Sequence, residues 1–124
     1  MECDNQGAHV TELPVFDPQE ALRVTGNRAA IATHLLGLFL NELPEARLVI
    51  TDLAADGERE ALRARVHKLA GSAMYCGAVR LLAVSRALEA AIEDGAADAD
   101  IETGTRSVLD EIGRFIAAAP KMPG

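Results

Sequence analysis

His67 has the residue type and the spacing to act as a nucleophile on a helix surface. Successive residues of an α-helix turn by about 100°, so one set of apolar residues in the surrounding run collects on a single side. These residues are Leu62, Val66, Leu69 and Ala73. His67 lies roughly 130° from the centre of that stripe, on a face that we expect to meet solvent. Imidazole is a competent nucleophile near neutral pH without a dedicated base.

The positions three and four residues after His67 carry small side chains, Ala70 and Gly71. The residues that share the face of His67 are Arg63, Ala64, Ala70, Gly71 and Met74. A glycine inside a helix costs about 1 kcal/mol relative to alanine, so Gly71 indicates a need for close approach by another protein. We therefore predict that the small and apolar residues of this face form the access surface for a partner.

Length and charge limit the classes of function. A chain of 124 residues predicts one domain, and the formal charge of -7 disfavours binding to a nucleic-acid backbone. Without an apolar run of about 20 residues or a signal peptide, the chain is predicted to be cytoplasmic with no direct membrane contact. Cys3 and Cys76 match neither a metal-site spacing nor a disulfide framework and are interpreted as reduced thiols without a role.

The apolar periodicity predicts helices and no strands. Residues 1–15 are predicted to be a flexible lead or linker, residues 16–119 a helical bundle and residues 120–124 a tail. A short first helix over about 18–25 would have Asp17 as N-cap, with Gly26 as its stop.

The four longer helices follow from the same pattern. Asn27 is predicted to cap the second, whose apolar positions include Ile31 and Leu38, and Pro44 leaves a kinked helix and two separate helices as alternatives. The third covers about 58–75 and carries His67, the fourth extends to Asp94, and the fifth ends before residue 120. Short connections favour an all-α, antiparallel four-helix bundle with a short additional N-terminal helix.

The histidine run resembles the signature of histidine-containing phosphotransfer (HPt) domains, which is approximately H-x-L-K-G-[SA]-[SA]. Here it reads His67-Lys68-Leu69-Ala70-Gly71-Ser72-Ala73, and the similarity continues through Gly77–Leu82 and Arg86–Glu89, covering about residues 59–92. The H-K-L-x-G-S run and the Leu-Pro of the second helix are similar to those in HPt domains of unorthodox hybrid sensor kinases of the BarA and GacS kind.

The resemblance implies a function in a two-component phosphorelay. In that family the histidine accepts a phosphoryl group from a receiver aspartate and passes it to a second receiver, so His67 would be the phosphoacceptor. The implied partners are the receiver domains of a hybrid sensor kinase and of a response regulator. The domain would be a monomeric phosphotransfer intermediate without a catalytic site, ATP-binding kinase domain, metal or cofactor of its own, with Mg²⁺ supplied by the receiver.

The chain departs from the family where the usual lysine three residues after the histidine is replaced by Ala70. Lys68 and Arg63 are then the candidates to offset the charge of a phosphohistidine. Ser72 is either a small helix-packing residue or a donor to the phosphate. Glu89 is either an acceptor for an imidazole N–H or a solvated surface glutamate.

Two other functions fit a helical bundle with an exposed histidine. A non-catalytic adaptor would bind a partner through the His67 face, with the imidazole contributing contact area only. A fragment of a dimerising histidine kinase is disfavoured because Lys68 stands where those domains carry an acidic residue, and the chain has no glycine-rich ATP-binding region. His9 and His34 are interpreted as incidental or structural.

Overall fold

Five helices make up the fold in the computed structural model, which describes Val10 and residues 12–118. They are α1 (Pro18–Val24), α2 (Ala29–Ala55), α3 (Arg59–Tyr75), α4 (Val79–Glu93) and α5 (Asp98–Ala118). Within these residues there is no strand, and none of the helices is long and apolar enough to cross a membrane. The all-α prediction is confirmed. The predicted tail and most of the predicted lead lie outside the described residues.

The start of α1 is formed as its sequence predicts. The Asp17 side chain accepts a hydrogen bond from the Glu20 backbone N–H at 3.2 Å, and Pro18 occupies the first turn, where its missing N–H costs nothing. The backbone N–H of Asp17 also donates to the Gly77 carbonyl at 2.8 Å. This second bond ties the start of α1 to the turn between α3 and α4.

Asn27 does not cap α2, so that prediction is wrong. Its φ of 62° is left-handed, which asparagine tolerates better than most residues, and its N–H donates back to the Leu22 carbonyl at 2.7 Å. Asn27 therefore completes the turn that ends α1, and Arg28 takes the position before α2.

Helix α2 continues through Pro44 as one element of 27 residues. The alternative of two separate helices meeting at Pro44 is therefore excluded. Pro44 lies on the exposed side of the helix. The missing N–H leaves the carbonyl of Leu40, a half-buried residue four positions earlier, without its helical donor. Two apolar residues predicted for the buried stripe of α2, Ile31 and Leu38, are exposed instead, at 40% and 49%.

Aromatic and aliphatic side chains from all four long helices fill the core. Phe115 makes an edge-to-face contact with Phe39, with 5.4 Å between ring centroids, and another with Phe16 at 6.0 Å. The apolar stripe of α3 is buried as predicted: Leu62, Val66, Leu69 and Ala73 are each 2% exposed or less. This burial orients α3 and leaves its opposite face for His67.

The turn between α3 and α4 depends on Gly77. Its φ of +66° is left-handed, and a Cβ at this position would collide with the carbonyl oxygen of Asp17. The short turn makes α3 and α4 antiparallel neighbours. Residues on α4 are thereby brought beside His67.

Candidate functional site

His67 projects from the middle of α3, with 70% of its side chain exposed. Val66 and Leu69, its neighbours in sequence, are buried in the core. The imidazole is therefore presented to solvent by a helix whose rotation is fixed by packing. A reagent or partner can reach the ring without a change in the fold.

Glu89 on α4 binds the imidazole from the side of the bundle. Its Oε2 lies 2.7 Å from Nδ1 of His67, and its side chain is 16% exposed. Because a carboxylate only accepts hydrogen bonds, this contact places the proton on Nδ1. In the neutral ring Nε2 then keeps its lone pair, and it is the ring nitrogen that can act as a nucleophile.

Arg63 lies one turn before His67 and contacts three carboxylates. Its Nη2 donates to Glu60 at 2.6 Å, while Nη1 is 3.8 Å from Oε2 of Glu89 and 3.7 Å from Oε2 of Glu93. The hydrogen bond and charge of Glu60 raise the pKa of the Arg63 guanidinium, and Arg63 lowers the pKa of the Glu60 carboxyl. The guanidinium thus joins the two helices beside the imidazole.

The predicted access residues divide into two groups. Ala64 is exposed, Met74 is half-buried, and a Cβ added at Gly71 would meet no atom within 4 Å. Ala70, in contrast, is only 3% exposed, so its assignment to the access surface is wrong. Three residues along a helix correspond to about 300°, which turns Ala70 some 60° from His67 toward the buried stripe.

The chain matches the protein-family model described as Hpt domain over residues 34–118. It belongs to the Hpt domain family. This confirms the predicted resemblance and makes the chain homologous to the phosphorelay carriers of hybrid sensor kinases.

Two relatives of this Hpt domain are sensor kinases. It is 35% identical over 111 residues to the sensor histidine kinase GacS of Pseudomonas protegens, covering 87% of this chain. It is 31% identical over 109 residues to the signal transduction histidine-protein kinase BarA of Shigella flexneri, covering 88% of this chain. In both cases the match spans 12% of the relative's length.

A solved structure supports the fold. The crystal structure of the HPT domain from the Hpt sensor hybrid histidine kinase from Shewanella superposes with a TM-score of 0.77 at 23% identity, over 84% of this chain and 89% of that one. The bundle described above is therefore the fold of a known HPT domain.

Ser72 is not brought to the imidazole of the Hpt domain. Five residues along a helix correspond to about 500°, which places Ser72 some 140° around α3 from His67. It lines a cleft of about 310 Å³ between α2 and α3. Its predicted role as a donor to the phosphate has no support in this placement.

The sequence reasoning did not find this cleft. It is lined by Leu35, Leu38, Phe39, Glu42, Ser72, Tyr75 and Cys76. Leu38 and Tyr75 are 49% and 46% exposed, so the cleft presents apolar surface to solvent. One feature of the sequence could have indicated it. The first half of α2 has more apolar residues than a single buried stripe can accommodate, so some of them must be exposed.

Lys68 is exposed on α3, and no ion pair among the described residues involves it. Its ammonium is available to a phosphoryl group or to a partner. Within the same part of the chain, no three His, Cys, Asp or Glu residues are grouped so that they could hold a metal ion. His34 is exposed on α2, and no hydrogen bond or ion pair among the described residues links it to His67.

Proposed function

We propose that this Hpt domain is a phosphorelay carrier. Nε2 of His67 would accept a phosphoryl group from the aspartate of a receiver domain in a hybrid sensor kinase and pass it to the receiver of a response regulator. The observation that carries the proposal is the exposed imidazole bound through Nδ1 to Glu89 at 2.7 Å, with Nε2 left as the nucleophile.

The transfer needs no base from the Hpt domain. The Nε2 lone pair attacks the phosphorus of the aspartyl phosphate, an N–P bond forms, and the P–O bond to the aspartate breaks with its electron pair leaving on the carboxylate. The imidazole keeps its proton on Nδ1 and becomes positively charged, and the Glu89 carboxylate stabilises that charge. The reverse chemistry delivers the phosphoryl group to the second receiver.

The Hpt domain would contribute position and access, and the receiver would contribute the remaining charge neutralisation. Phosphoryl transfer depends on in-line positioning and on cations around the phosphoryl oxygens. In the proposed complex the receiver supplies Mg²⁺ and its acidic pocket, while Lys68 is the nearest cation in sequence to His67. One copy of the chain carries the complete His67–Glu89 pair, so the proposal requires only a monomer.

Apolar surface on α2 and the end of α3 is available for contact with a protein partner. Tyr75 follows His67 by eight residues on α3, which is about 12 Å along the helix axis, and it shares the cleft with Leu38 of α2. Exposed apolar side chains at this position can add contact area in a complex with another protein. The proposal places the interaction in the cytoplasm.

Label transfer from a phosphorylated receiver tests the proposal. The full chain should take up acid-labile radiolabel from a receiver domain phosphorylated with ³²P, and His67→Gln should take up none while keeping its helical circular dichroism. Failure of the folded chain to exchange label with any receiver would contradict the relay. An adaptor would instead bind the receiver equally well with either residue at position 67 and would never become labelled.

A further inference from the structure

Arg63 touches the same carboxylate oxygen that binds the imidazole. Nη1 of Arg63 lies 3.8 Å from Oε2 of Glu89, and Nδ1 of His67 lies 2.7 Å from that atom. The other edge of the guanidinium, Nε and Nη2, is occupied by Glu60 on the same helix. The planar fork of an arginine can serve both edges at once, which a lysine cannot do.

Glu89 needs a cation if it is to remain in this position. Its side chain is largely removed from water, and Glu93 lies one turn further along α4, where a like charge is unfavourable. Among the described residues, Arg63 and His67 are the basic side chains within 4 Å of Glu89. Without Arg63, repulsion by Glu93 and hydration would both favour rotation of the Glu89 carboxylate away from the imidazole.

We propose that Arg63 is a positioning residue that acts on His67 through Glu89. Its guanidinium holds the carboxylate beside Nδ1 and thereby fixes the Nδ1–H tautomer, which leaves the lone pair on Nε2. This differs from direct neutralisation of a phosphoryl group by Arg63, because the guanidinium is already engaged with Glu60 and faces α4. The effect of Arg63 on the rate of phosphotransfer rests on the proposed function, whereas its effect on the His67 tautomer does not.

Nitrogen-15 NMR of the His67 ring tests the tautomer in the unphosphorylated chain. The wild type should show the proton on Nδ1, and Arg63→Gln should shift the population toward the Nε2–H form. Arg23→Gln is the matched control, because Arg23 makes the same i,i+3 pair with Glu20 at 2.6 Å on α1. An unchanged tautomer in a folded Arg63→Gln variant would overturn the proposal. Arg63→Lys is a second variant, expected to give an intermediate population.

A double-mutant cycle tests whether Arg63 acts through Glu89. Arg63→Gln should slow phosphoryl uptake about fivefold in the wild-type background. In the Glu89→Leu background, the same substitution should have no further effect on the rate. An equal loss in both backgrounds would mean that Arg63 contacts the phosphoryl group or the receiver directly, and the proposal would be wrong. If the wild type takes up no label, the relay itself fails, while the NMR result still decides the role of Arg63.

Discussion

His67 on α3 and Glu89 on α4 form a hydrogen-bonded pair, with 2.7 Å between Nδ1 and Oε2, although they lie 22 positions apart in sequence. The pair exists because the turn at Gly77 makes the two helices antiparallel neighbours, and because the buried stripe of α3 fixes the rotation of His67. The site therefore depends on the hairpin as a unit. Each half of the pair is positioned by core residues that have no chemistry of their own.

Removal of the Glu89 carboxylate should impair phosphotransfer without unfolding the domain. In Glu89→Leu, Nδ1 loses its acceptor, the tautomer is no longer fixed, and the cationic phosphoimidazole loses a stabilising charge. We expect the rate of phosphoryl uptake from a receiver to fall about tenfold, measured by rapid-quench label transfer. Glu102→Leu, at an exposed site on α5, should transfer at the wild-type rate. Equal rates for both variants would refute a role for the pair.

A long side chain at Gly71 should obstruct the receiver and leave the fold intact. A Cβ here meets no atom within 4 Å, so Gly71→Gln creates no internal clash, and loss of a helical glycine should raise the free energy of unfolding by about 0.5 kcal/mol. The receiver concentration needed for half-maximal transfer should rise severalfold. Gly37→Gln on α2, where a Cβ also meets nothing, should show the same gain in stability and normal transfer. Normal transfer by both variants would contradict the steric role of Gly71.

The sequence predicts the parts of the site that depend on helical periodicity and loop length. The buried stripe and the exposure of His67 follow from a 3.6-residue repeat, whereas for Glu89 the sequence left both an imidazole acceptor and a solvated glutamate open. Ala70 was predicted to be exposed because it lies only about 60° from His67 on α3. That prediction treats the helix in isolation and takes no account of α4, which packs beside it. The burial of Ala70 depends on the interhelical distance, which no single helix encodes.

The cleft between α2 and α3 was not predictable for a related reason. Leu38 belongs to the apolar repeat of α2, but its exposure depends on where α3 lies across that helix. Ser72 faces the same cleft, so its neighbours are also set by packing between helices. Asn27 was also predicted wrongly, for a local reason. The end of α1 and the start of α2 are so close in sequence that Asn27 could serve either, and its N–H bonds to Leu22 at the end of α1.

A lysine at Ala70 should lengthen the lifetime of the phosphohistidine. Ala70 is only 3% exposed, but a lysine stem can extend between α3 and α4 and place its ammonium near the phosphoryl oxygens. In Ala70→Lys we expect the label to persist severalfold longer in the absence of a receiver, with a lower melting temperature because the stem crowds α4. Ala70→Met adds similar bulk without charge and should lower the melting temperature but not extend the lifetime. Equal lifetimes in the two variants would exclude a charge effect.

Ionisation of the Cys76 thiol should reduce stability at high pH. Burial, with a smaller contribution from the charge of Glu42, raises the pKa of Cys76 from 9.0 to about 12. Between these values the unfolded chain releases a proton that the folded chain keeps, so the free energy of unfolding should fall as pH rises, by up to about 1.4 kcal/mol per pH unit. Urea unfolding from pH 8 to 10.5 should show this fall in the wild type, and the fall should be shallower in Cys76→Ala. Parallel pH profiles would mean that the thiol ionises equally in the folded and unfolded chains.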